Sequence, residues 1–65
     1  MTELEKLKHL LEHWIEHNDA HISTYGEWAS KAESLSEKEL ADILQHIVEE
    51  SKKLNALFNK AREVI

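Results

Sequence analysis

The 65-residue chain has no cysteine, no proline and a single glycine, Gly26. Without cysteine, disulfides and thiolate metal centres are both excluded. Without proline, and with one glycine, little can interrupt a helix once it has started. Positive charge is also scarce. Eight Lys and Arg stand against thirteen Asp and Glu, a net charge of −5 with histidine neutral. No basic cluster exceeds Lys52-Lys53, which argues against a nucleic-acid groove or an anionic membrane surface as partner. No apolar run approaches the length of a membrane span and the start has no signal-peptide core, so a cytoplasmic location is the expectation.

Length sets the next bound. Residues 1–65 are enough for one domain, and one this small buries too little surface to be comfortably stable alone. A metal or a partner chain is the usual remedy once disulfides are gone. What the chain has in excess is histidine: five in all, four of them at His9, His13, His17 and His21.

Two amphipathic helices are expected. Thr2-Glu-Leu-Glu5 reads as a capping box, and Ser36-Glu-Lys-Glu39 repeats the device, with Leu35 and Leu40 placed as a hydrophobic staple. Helix 1 then runs from about residue 3 to 33 and helix 2 from about 37 to 64, joined by a tight turn. Gly26, after the weakly helical Ile22-Ser-Thr24, is the place for a kink in an otherwise continuous helix. A heptad register puts Leu4, Leu7, Leu11, Trp14, Asn18, His21, Tyr25, Trp28, Ala32 and Leu35 inward in helix 1. In helix 2 it selects Leu40, Leu44, Ile47, Ser51, Leu54, Phe58, Ala61 and Ile65. Flanking apolar residues make both faces wider than one seam requires. A lone hairpin leaves part of each face uncovered, so the expected assembly is an all-α antiparallel hairpin that dimerises into a four-helix bundle.

The polar interruptions of the two faces fall at one height. Residue x of helix 1 should stand level with about residue 71 − x of helix 2. Asn18 and His21 then meet Glu50, Ser51 and Asn55, with apolar residues above and below. Two readings follow. Histidines four apart share a helix face, so His17 and His21, joined by His13, Glu50 or a second chain, could ligate zinc, nickel or cobalt. Asn18, Tyr25 and Asn55 would then orient the rings. Alternatively the layer holds no metal, and Asn18 with His21 sets how the helices pair.

Other patterns carry less. His13-Trp-Ile-Glu16-His17 fits an inverted zinc-protease signature, yet that signature also needs a distant third ligand and a substrate cleft, and Glu16 falls on the outer face. The Glu-x-x-His pair of di-iron bundles is absent. Trp14, Trp28 and Tyr25 read as core and interface anchors, and Glu49 with Lys53 as a solvated pair. Nothing points to catalysis, so no enzyme is expected.

The stretches HWIEHNDAHISTYGEWASKA and ELADILQHIVEESKKLNALFNKAREVI resemble a small family of uncharacterised prokaryotic helical-hairpin domains. The likeness extends from about residue 8 onward. It implies that His13, His17, Asn18, His21 and Asn55 carry the family's site, with Tyr25 and Trp28 as an aromatic pair. Some members are attached to histidine-rich tails or to nickel and cobalt uptake components. This chain departs from the pattern in having no histidine-rich tail, and at Gly26 and Ser51. The expectation is a small helical protein that binds a divalent transition metal through His17 and His21, assisted by His13 or Glu50. The alternative is a metal-free oligomerisation module.

Overall fold

A computed structural model describes residues 2–65. Two helices make up the fold, α1 (Glu3–Ser34) and α2 (Lys38–Val64), within a residue of the expected ends. They pack antiparallel as a rod of 51 × 15 × 11 Å. Its radius of gyration is 15.2 Å, against about 11 Å for a compact domain of this length.

The first cap forms largely as read. Thr2 Oγ1 accepts the Glu5 amide at 3.2 Å and donates to the Glu5 carboxylate at 3.3 Å. The second does not. Ser36 sits in the left-handed region, φ 62°, and is not the cap of α2. Its N–H donates to the Glu33 carbonyl at 3.0 Å, and the Glu37 N–H donates to the Ala32 carbonyl at 2.9 Å. Those two bonds are a Schellman motif, which satisfies the last carbonyls of α1. Helix α2 is entered at Glu37, which makes no side-chain cap. The staple positions therefore shift to Ser36 and Ala41, and Leu35, 70% exposed, staples nothing. A Ser-x-x-Glu string serves either helix end, and here the turn of α1 claimed it.

Helix α1 is continuous through Gly26. Thr24 donates its hydroxyl to the Ala20 carbonyl at 3.2 Å, which keeps its polar group within the helix. A Cβ at Gly26 would meet nothing within 4 Å, so no close approach within the chain explains this glycine.

The seam between the helices is offset from the expected register. The seam takes Leu11, Ile15, Asn18, Ile22, Tyr25, Ala29 and Ala32 of α1, with Glu12 and Gly26 half-buried at its edge. From α2 it takes Ala41, Leu44, Val48, Ser51, Asn55, Phe58 and Arg62, with Asn59 half-buried beside them. One row of each predicted stripe is right except at the ends, where Leu4 and Ile65 are exposed; the other is displaced by one residue, Ile15 for Trp14 and Val48 for Ile47. The displaced rows, with Leu10, Ile43 and Leu57, are exposed. In antiparallel right-handed helices both displaced rows fall on the same side of the rod, giving a single apolar flank.

No helix is long and apolar enough to cross a membrane among the described residues. Among the described residues only six are buried, three of them alanine, and no side chain is fully buried. The accessible surface is 5102 Å², roughly 800 Å² more than a compact protein of this mass exposes.

Candidate functional site

Half-way along the rod the two helices exchange polar contacts. Asn18 Nδ2 donates to the Ser51 carbonyl at 2.8 Å, part-buried in the seam. One residue on, Asn55 Nδ2 donates to Asp19 Oδ1 at 2.8 Å. Trp14 meets Phe58 across the seam with ring centroids 6.1 Å apart. These pairs bracket the predicted levels, so estimating height from helix rise alone located the polar layer correctly. Asp19 was not singled out from the sequence. The signal was available, since Asp19 stands within a turn of the height of Asn55. Asn55 Oδ1 is buried without a partner, the one such side-chain atom among the described residues.

Two residues expected in that layer stand outside it. His21 is exposed on the apolar flank, because the seam takes Ile22 instead. Glu50 is also exposed and pairs along its own helix, with Lys53 at 3.2 Å and His46 at 3.6 Å. Lys53 thus takes Glu50 where Glu49 was expected. What the structure brings together within the layer is Asn18, Ser51, Asp19 and Asn55.

The histidines form a ladder of their own along α1. His13 and His17 have ring centroids 4.3 Å apart, and His17 and His21 6.3 Å. His21 stacks on Tyr25 at 5.8 Å with 12° between the planes. A spacing of four residues advances about 40° around a helix, so the ladder winds across its surface. It starts at His13 on the side away from α2, crosses the apolar flank at His17 and His21, and ends at Tyr25 in the seam. Among the described residues, none gives the rings of His13, His17 or His21 a hydrogen bond or an ion pair.

No group of three His, Asp or Glu placed to hold one metal ion occurs among the described residues. The arrangement a single chain offers is two neighbouring imidazoles on an apolar surface, beside a hydrogen-bonded amide layer. Trp28, 53% exposed, lies farther along the same flank under the Lys31 ammonium, 4.3 Å from its ring centre.

A family described as a domain of unknown function (DUF8180) matches residues 7–65. An uncharacterised protein of Archaeoglobus fulgidus is 37% identical over 62 residues, covering 95% of this chain and 98% of that protein. No solved structure matches the chain.

Proposed function

This chain belongs to the DUF8180 domain family, and from its geometry we propose that it is an assembly module, a helical hairpin that pairs with a second copy to form a four-helix bundle. The observation that carries this reading is the apolar flank. Leu7, Leu10, Trp14 and Trp28 of α1 lie beside Leu40, Ile43, Ile47, Leu54 and Leu57 of α2, all exposed in the single chain. Contiguous apolar surface of this kind is uncommon on proteins that act alone. The surface excess of roughly 800 Å² equals the share one partner buries in a standard protein interface. A second copy is the occupant because a two-fold pair covers both flanks with one self-complementary patch. The small core of the lone hairpin then gains the burial it lacks.

Within the module, Asn18 with Ser51 and Asp19 with Asn55 set the pairing of the two helices. Sliding the seam would leave these amides and the carboxylate unpartnered, at a cost of about 1–3 kcal/mol for each buried group. Binding of zinc, nickel or cobalt is the second reading, favoured by the unpartnered histidine ladder on the same flank. A link to nickel or cobalt uptake, implied by the resemblance, belongs with that second reading, and a cytoplasmic setting remains an expectation from the sequence. Nothing calls for a catalytic role.

Sedimentation equilibrium in the presence of EDTA tests the module directly. The expected mass is twice the 7.6 kDa of one chain. A species that stays at 7.6 kDa at every concentration would overturn the proposal.

A further inference from the structure

We infer that two copies of this chain complete a transition-metal site at the centre of the dimer, built from His17 and His21 of each copy. The inference rests on the dimer reading and adds what occupies the middle of its interface.

His17 and His21 are the polar interruption on α1 in the middle of the apolar flank. Both are exposed, and neither ring has a partner among the described residues. Of the three histidines off this flank, His9 lies 3.9 Å from Glu12 and His46 lies 3.6 Å from Glu50, while His13 packs its ring on that of His17. Covering the flank with apolar side chains would strand the nitrogens of His17 and His21, a cost that a proper ligand removes. One chain alone brings two imidazoles, short of the three or four that hold a zinc-like ion.

Height supplies the rest. Helix α1 runs from Glu3 to Ser34, so its midpoint falls between Asn18 and Asp19, and His17 and His21 straddle it. Consider a two-fold axis that crosses the rod at mid-length within the interface. It lays α1 antiparallel on α1 of the second copy, and His17 of one copy comes level with His21 of the other. Four imidazoles then converge around the axis. An axis along the rod would instead set His17 against Leu54 and leave its ring against hydrocarbon. Neutral imidazole nitrogens at about 2.0–2.1 Å in a tetrahedron suit Zn²⁺, and Co²⁺ adopts the same ligands as a coloured probe. His13, 4.3 Å from His17, and Tyr25, stacked on His21, fix the ring planes and act as positioning residues.

The test is a Co²⁺ titration of the tag-free full chain followed by absorption, with sedimentation equilibrium run in EDTA and in Zn²⁺. One metal per two chains is expected, with the visible bands of tetrahedral Co²⁺. Zn²⁺ should tighten dimerisation about 100-fold when free metal stands ~100-fold above its own dissociation constant. His17→Ala with His21→Ala should abolish both effects, and His9→Ala with His46→Ala should leave both intact. One metal per chain, binding without a change in assembly, binding that survives loss of His17 and His21, or no binding at all would each overturn the site. The EDTA arm reads the dimer without metal. A dimer in EDTA together with no Co²⁺ bound in the titration sinks the metal site while the assembly reading stands.

Discussion

The two flanks of the rod differ more than its two helices do. One carries Leu7, Leu10, Trp14, His17, His21 and Trp28 beside Leu40, Ile43, Ile47, Leu54 and Leu57. The other carries Glu5, Glu12, Asp19, Gly26 and Glu33 beside Lys38, Gln45, Lys52 and Asn59. The polar flank meets its own needs. Asp19 takes the Asn55 amide at 2.8 Å, Asn59 donates to the Asn55 carbonyl at 3.0 Å, and Arg62 donates to Asn59 at 2.8 Å. On the apolar flank Glu50, in the row of Ile43 and Leu57, pairs with Lys53 and His46, but the histidines end in open surface. A side whose bonds close within the chain can face water. A side with bare leucines, tryptophans and unpartnered rings is the one that the proposed second copy would cover.

The largest effect should come from breaking that asymmetry. Trp28→Glu with Ile47→Glu removes two anchors that each contribute roughly 1.5–3 kcal/mol when buried. Both copies carry the changes, so the dimer loses four anchors and should weaken by at least about four orders of magnitude, read as a fall in sedimentation mass. The matching pair on the polar flank, Glu12→Gln with Lys52→Gln, should leave the mass unchanged. Equal losses from both pairs would show that the flanks are not distinct.

The turn serves both flanks alike. Ser36 holds φ 62°, a region that costs a non-glycine residue about 1–2 kcal/mol. Ser36→Gly should recover most of that as a higher thermal midpoint with unchanged mass, and a lower midpoint would contradict the Schellman assignment. Asn18→Leu probes the seam between the flanks. It exchanges one hydrogen bond for apolar burial, and stability should rise by about 1 kcal/mol. The same change should broaden the distribution of assembly states, and a distribution that stays single would count against a register role for Asn18. The smallest effect belongs to Gly26 on the polar flank. Since a Cβ there meets nothing within 4 Å, Gly26→Ala should stabilise the helix by just under about 1 kcal/mol. Destabilisation instead would reveal a neighbour pressed against the polar flank.

Much of this architecture was legible in the chain. The absence of proline, the Thr2 cap and the run of apolar spacing were enough for two long helices and a tight turn. The height of the polar layer followed from helix rise, since Asn18 does reach Ser51. Legibility failed where one pattern served two purposes. Ser36-Glu-Lys-Glu39 reads as a cap for α2, but a left-handed residue closing α1 uses the same serine. The apolar faces are wide enough for two partners, and periodicity cannot say which row meets the neighbouring helix and which meets another molecule. Trp14 and Ile15, or His21 and Ile22, are equally apt by spacing. The seam took Ile15, Ile22 and Ala29, which let the backbones approach where Trp14 and Trp28 would have held them apart.

The sequence by itself determined helix content, the position of the turn, the breadth of the apolar faces and the height at which their polar residues coincide. These are local or one-dimensional properties, set by propensity, capping and the constant rise of a helix. Only the tertiary structure decided that the histidines stand outside the seam on a flank of leucine and tryptophan, while Asn18 and Asn55 stay within it. That outcome depends on how two helices rotate about their axes to interlock. Rotation is chosen by the packing of all the side chains at once, and no single motif encodes it.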